Sequence, residues 1–191
     1  LMRTLINTFM LFFLAGLPIH AAQADDYSDA IKTFRNAGES ASYFNTAYGY
    51  AVFPSIGNAG VGIGGAHGTG RVYAQGKDIG EAKMNQLTVG LQLGAQAYSQ
   101  IIFFENENAL NDFTSGNFEF SAQATAVAIT AGVSAEANTG GGTAAGASGG
   151  KNDATTTSRG YRKGMAIFTV AKGGLMYEAS LGGQKFKFKP N

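Results

Sequence analysis

The sequence predicts an α+β fold: a predominantly antiparallel, strongly curved or barrel-like β-sheet with short N-terminal helices and one inserted helix. Three observations lead there. Alternation of apolar and small or polar residues with period two recurs from Gly49 to Lys189, which is the spacing of strands. Glycine numbers 28 of 191 residues, roughly twice the usual ~7%, and much of it falls inside the alternating segments, where it permits tight curvature. Helical spacing is confined to Tyr27–Thr46 and to Glu105–Ser115.

Leu1–Ala24 has the pattern of a secretory signal peptide: Arg3, the apolar run Phe9–Leu17, the breaker Pro18, and Ala22-Gln23-Ala24 as a small-x-small cleavage site. The run is shorter than the ~20 residues that a spanning helix needs. No cysteine follows it, so lipid attachment at a new N-terminal cysteine is not expected. The expectation is residues 1–24 as signal peptide and 25–191 as one domain, exported and periplasmic or envelope-associated, not a lipoprotein.

In Tyr27–Thr46, Tyr27, Ile31, Phe34, Ala41 and Phe44 fall on one helical face, and Gly38 is expected to divide the segment into two helices. Tyr50–Phe53 is a short strand stopped by Pro54. Gly60–Gly64 alternates, with Gly60, Gly62 and Gly64 on one face and Val61 and Ile63 on the other. Gly60, Gly62, Gly64 and the following Gly65 form a glycine strand expected to let a neighbouring element approach closely. Arg71–Ala74 reads as the return strand of a hairpin turning at Gly68–Gly70. Leu87–Leu93 and Ala95–Phe104 are further strands, Glu105–Ser115 a helix with Ala109, Leu110 and Phe113 on its apolar side, and Phe118 opens a run reaching about Val133. Residues 138–157 are rich in Gly, Ala, Ser and Thr and are expected to form a flexible loop. Met165–Val170, Leu175–Leu181 and Lys185–Lys189 complete eight to ten strands.

Composition excludes several chemistries. Without cysteine there is no disulfide frame, thiol nucleophile or iron–sulfur cluster. Beyond the signal segment His67 is the single histidine, which leaves transition-metal sites poorly supplied. Gly60-x-Gly62-x-x-Gly65 matches a dinucleotide fingerprint as a string, but a strand follows it where a helix is required. Gly146-x-Ser148-x-Gly150 matches a nucleophile elbow but lies in the low-complexity segment. No enzyme activity, cofactor, metal or nucleic-acid partner is expected.

Charge is unevenly placed. Residues 25–150 carry five basic and eleven acidic residues, whereas residues 151–191 carry eight basic and two acidic ones. Such asymmetry marks either an anionic partner for the C-terminal part or complementarity between two halves of one sheet. In Lys185-Phe186-Lys187-Phe188-Lys189 the lysines share one strand face and the phenylalanines the other. The lysines either protect a sheet edge or, with Arg162 and Lys163, meet anionic lipid headgroups.

Three ordered blocks give the chain a resemblance to the SYLF domain family. They are Ala47–Gly65, with Phe53-Pro54 and the glycines that follow; Gly90–Gln96, continued by Ala109-Leu110, Phe113, Gly116 and Phe118; and Lys172–Leu175 with Ala179–Gly183. The resemblance spans roughly residues 27–188. It implies a non-enzymatic lipid-binding domain, with phosphatidylinositol lipids as ligands of eukaryotic members. For an exported bacterial member it implies phospholipid binding in the cell envelope, by peripheral attachment to anionic headgroups. Asn58 stands where many members carry lysine. Integral outer-membrane β-barrel and structural envelope protein are the alternatives, and no protein partner can be named.

Overall fold

The computed structural model describes residues 19–121, 124, 126–129, 160–172 and 181–191. Two long strands, β1 (Gly49–Ala74) and β2 (Lys77–Phe104), pair antiparallel along almost their whole length. They turn at Gln75-Gly76, whose φ values of 48° and 79° give the two left-handed residues that a tight hairpin turn uses. The turn therefore lies after Ala74, not at Gly68–Gly70. Pro54 does not stop the strand either. The register shifts between Phe53 and Ile56, so Pro54 sits in a bulge, where its missing N–H leaves no gap in the ladder. Ser99 Oγ donates to the Pro54 carbonyl at 2.7 Å.

Around this hairpin the described residues form a six-stranded sheet. The other strands are β3 (Phe118–Glu119), β4 (Val127–Ile129), β5 (Met165–Lys172) and β6 (Lys185–Pro190). The order is β3-β6-β2-β5-β4, with β1 on the other side of β2. The free edge of β2 is shared: β5 pairs with Ala97–Phe104 and β6 with Gly80–Asn85. All pairings are antiparallel except β4 with β5, which is parallel. Sequence segments expected as separate strands fuse into β1 and β2, and other expected strand segments lie outside the described residues, so six strands are described here. The Leu175–Leu181 strand and the 138–157 loop fall wholly or mainly outside the described residues.

Curvature comes from small residues on the concave side of β1. A Cβ on Gly68 would stand 2.8 Å from the Ile56 side chain and 2.9 Å from the Ser55 carbonyl, and one on Gly70 would stand 2.6 Å from the Phe53 ring. At Gly49 it would collide with the Tyr73 carbonyl. The first third of β1 thus folds back over its last third, a closure tied by the Gln75 N–H donating to the Tyr48 carbonyl at 3.0 Å. A curled sheet filled by its own side chains results, in line with the predicted α+β architecture.

The half of the hairpin built from Gly49–Ile56 and Tyr98–Phe104 is covered on both faces. Its concave side joins Phe53, Ile56, Ile102 and Phe104 to Phe113 and Phe186. Its convex side carries Val52, Ile101, Phe103 and Phe168 beneath Phe34 and Tyr43. Double burial explains why Ile101–Phe104 reads as an unbroken apolar run rather than an alternation. The covering helices are α1 (Ile19–Asn36) and α2 (Tyr43–Thr46), separated as Gly38 predicted. Helix α3 (Glu107–Thr114) starts at Asn106, whose side chain accepts from the Ala109 N–H at 3.0 Å, and buries Ala109, Leu110 and Phe113 as expected.

Candidate functional site

The turn half of the hairpin has one largely open face, which α1 meets at Tyr27: its ring lies 4.4 Å from the Arg71 guanidinium and its hydroxyl donates to the Thr69 carbonyl at 3.4 Å. Register fixes what this face shows. Residues of β1, β2 and β6 align in rows: Arg71–Glu81–Lys189, Thr69–Lys83–Lys187, His67–Asn85–Lys185, then Gly65–Leu87. Each strand presents alternate side chains to one face. All of these residues except Arg71, which is half-buried, are exposed. Three ion pairs cross or flank the rows: Arg71–Asp78 at 3.9 Å, Lys83–Glu81 at 3.9 Å and Lys185–Glu119 at 3.8 Å. Lys187 and Lys189 have no acidic partner among the described residues, so the face has surplus positive charge.

Beyond the lysines the same face turns apolar. Ile63 and Leu87 are 69% and 73% exposed, the two large hydrophobic side chains most open to solvent among the described residues. Because Gly65 pairs with Leu87 and Ile63 with Val89, Ile63 and Leu87 are diagonal neighbours. A shallow groove of about 750 Å³ opens beside Leu87, lined also by Gly65, His67, Glu119, Gly183 and Lys185.

A buried amide cluster positions this end of β6. Gln184 exchanges hydrogen bonds with Gln100, donating at 3.2 Å and accepting at 3.0 Å, and donates to the Tyr98 hydroxyl at 3.2 Å. Gln86 Nε2 donates to the Gly182 carbonyl at 2.9 Å. Burial pushes the Tyr98 phenol up to about 12, the Gln184 hydrogen bond opposing the rise. The cluster pins the Gly182–Gln184 turn inside the curl, so the chain leaves it as β6 with Phe186 inward and Lys185 outward.

The structure places the predicted site residues in two groups. Lys185, Lys187 and Lys189 are exposed on one face while Phe186 is buried, as the alternation required. Their strand is not a plain edge: β2 flanks it throughout, and β3 pairs with Lys185 and Phe186. Arg162 and Lys163 do not join this row. They occupy the turn before β5, where Lys163 (φ 51°) and Gly164 (φ 77°) are left-handed and Gly164 abuts Ala109 of α3. There they edge a separate pocket of about 380 Å³. Of the glycine strand, Gly60 is tightly enclosed, since a Cβ would stand 2.6 Å from the Ile63 carbonyl. Gly65 has only an ordinary 3.7 Å neighbour, the Gln86 carbonyl. Gly62 pairs with Gly90 and Gly64 with Thr88, and close approach occurs further along as well, at Gly68 and Gly70.

Sequence reading missed Ile63 and Leu87. The available signal was parity: Leu87 falls in phase with Glu81, Lys83 and Asn85, and Ile63 with His67, Thr69 and Arg71, the polar sides of their strands.

No group of His, Asp and Glu among the described residues could hold a metal ion. The Gly60–Gly65 string lies inside β1, which continues to Ala74 with no helix following. The site is a patterned sheet surface with a groove beside it, and a second pocket lies at the turn before β5. The Ysc84 family model, described as Las17-binding protein actin regulator, matches residues 85–191, more than half of the chain. The chain belongs to this family, the SYLF domain family that its sequence resembles. The match contains the second and third sequence blocks, and Ala47–Gly65 precedes it. A search of curated proteins finds no match.

Proposed function

We propose that this SYLF domain is a non-enzymatic, peripheral phospholipid-binding protein of the bacterial cell envelope that docks on anionic headgroups through the largely open face of β1, β2 and β6. The observation that carries this reading is the pattern on that face: a row of three lysines, two without acidic partners among the described residues, leading into exposed Ile63 and Leu87. Cations near a charged membrane surface each contribute about 1 kcal/mol at low salt, and apolar side chains beside them can enter the interface.

Export through residues 1–24 belongs to the same proposal. Helix α1 begins at Ile19, so cleavage after Ala24 would leave Asp25 and Asp26 in its new first turn, where negative charge is favourable. N-terminal sequencing of the exported chain should read from Asp25. An integral barrel fits less well, because its outward face is an apolar band. Here the outward face is helix-covered in one half and carries three ion pairs in the other.

A second reading comes from the family's description, which names a protein partner: the same face could receive an acidic protein surface. Co-sedimentation separates the two. The purified domain should pellet with phosphatidylglycerol-containing vesicles and not with phosphatidylcholine vesicles, with binding falling as salt rises. Equal binding to both vesicle types at low salt, or to neither, would overturn the lipid reading.

A further inference from the structure

The pocket edged by Arg162 and Lys163 has a different construction from the docking face. Among the described residues, pairing of β4 with β5 begins at Val127 and Phe168. The pocket of about 380 Å³, within the ~300–1,000 Å³ range of small-molecule sites, is lined by Val127 and Met165–Phe168. Its floor is apolar: Phe120, Ala126, Met165 and Phe168 are buried, and Phe118 and Ile167 partly so. Its rim is charged: Asp112, Glu119, Arg162 and Lys163 are all exposed.

The rim is not neutral in effect. Glu119 is engaged by Lys185 at 3.8 Å, which leaves Asp112 against Arg162 and Lys163, a surplus of one positive charge. Neither Arg162 nor Lys163 has an ion pair among the described residues. Lys163 is held by its left-handed turn, which packs on α3, and the Glu105 N–H donates to the Gly164 carbonyl of the same turn at 2.8 Å. Two exposed cations thus stand at the rim of an apolar recess, an arrangement that complements a molecule with a negative head and a hydrocarbon tail.

We infer that this pocket holds the chain of one anionic amphiphile, with its carboxylate or phosphate head on Arg162 and Lys163. The tail replaces water against Phe120, Met165 and Phe168, where each buried methylene adds to affinity. The head makes charge-assisted hydrogen bonds, Arg162 offering a planar fork and Lys163 a point charge. The site differs from the lysine row and does not need a bilayer, so it stands or falls independently of the docking proposal.

Methionine-methyl NMR reads the pocket directly, because Met165 lines it while Met84 lies in the main core. The purified domain is titrated with decanoate, decyl phosphate and 1-decanol, all below micelle formation. The expected result is a saturable shift of the Met165 methyl with Met84 unmoved, and affinity for the better acid at least ~10-fold above decanol. Comparing the two acids decides between carboxylate and phosphate. Arg162→Gln with Lys163→Gln should bring the acids down to the decanol level and leave decanol unchanged. Lys187→Gln with Lys189→Gln, which leaves the Lys185–Glu119 pair of the rim intact, should leave all three ligands bound as before. No saturable Met165 shift at millimolar ligand, equal affinity for acid and alcohol, or unchanged acid binding in the Arg162/Lys163 variant would overturn the inference. Vesicle co-sedimentation of the same variants tests the docking face separately.

Discussion

Thr169 and Tyr98 show how this interior treats isolated polar atoms. Thr169 is fully buried on β5, and its Oγ1 has no hydrogen-bond partner among the described residues. An unpaired buried hydroxyl costs about 1–3 kcal/mol. Valine keeps the shape and removes the polar atom, so Thr169→Val should raise stability by about 1 kcal/mol in urea unfolding, whereas a loss would mean that the hydroxyl is satisfied. Tyr98 is satisfied but buried, with its phenol pushed up to about 12 by that burial. The unfolded phenol titrates near 10. Below pH 10 both states hold the proton and the contribution is constant. Between pH 10 and about 12 only the unfolded state releases it, so stability should fall as pH rises, by about 1.4 kcal/mol per pH unit from this group. Other tyrosines add to the slope, and Tyr98→Phe isolates this one: above pH 10 its unfolding free energy should fall less steeply than wild type. At neutral pH the variant should be about 1 kcal/mol less stable, having lost the bond from Gln184.

At the scale of the elements, the long hairpin bends because glycine and alanine occupy its concave face where the strand crosses itself. Gly70→Ala would push a methyl to 2.6 Å from the Phe53 ring and 2.8 Å from the Val52 carbonyl. Backbone cannot yield as a side chain can, so a loss of about 1–3 kcal/mol is expected. Gly65→Ala, with its nearest neighbour at 3.7 Å, should be within about 0.5 kcal/mol of wild type. Equal thermal midpoints for the two variants would show that the strands do not press together at Gly70. Alternation in Lys185–Lys189, the helical spacing around Phe34, and the apolar side of α3 were all legible, because each depends on neighbours within a few residues. Strand ends were not. Pro54 and Gly68–Gly70 carry the chemistry of a turn, yet a bulge absorbs the first, and the fold of the hairpin over itself needs the second as small residues. The true turn, Gln75-Gly76, offers a single glycine as its signal. Which of several glycines meets a backbone depends on residues some fifteen positions away, and local pattern does not encode that.

Over the whole molecule, the charge imbalance between the N- and C-terminal parts had two readings in the sequence, and the structure shows one pair of the second, internal complementarity. Lys185 meets Glu119, complementarity within the sheet, while Lys187 and Lys189 remain as surplus on an open face. Grouping Arg162 and Lys163 with this row was not possible to judge from sequence, since their position depends on the packing of the β5 turn against α3. The face then combines two forces that respond differently to salt. Attraction of lysines to phosphatidylglycerol is screened over a Debye length of about 8 Å at physiological ionic strength. Burial of Ile63 and Leu87 in the interface is not screened, and complete burial of such a side chain contributes about 1.5–3 kcal/mol. If both act, binding to anionic vesicles should fall with salt to a residual level rather than to zero. Replacing Lys185, Lys187 and Lys189 with glutamine should flatten the salt slope and leave the residual level in place. Ile63→Ser with Leu87→Ser should preserve the slope and remove the residual, by at least ~10-fold in affinity if each residue is even half inserted. Both side chains are already exposed, so the serine variant should melt as wild type does. A serine variant that retains the salt-resistant binding would restrict contact to the charged rows and place the lipid headgroups, not the acyl region, against this face.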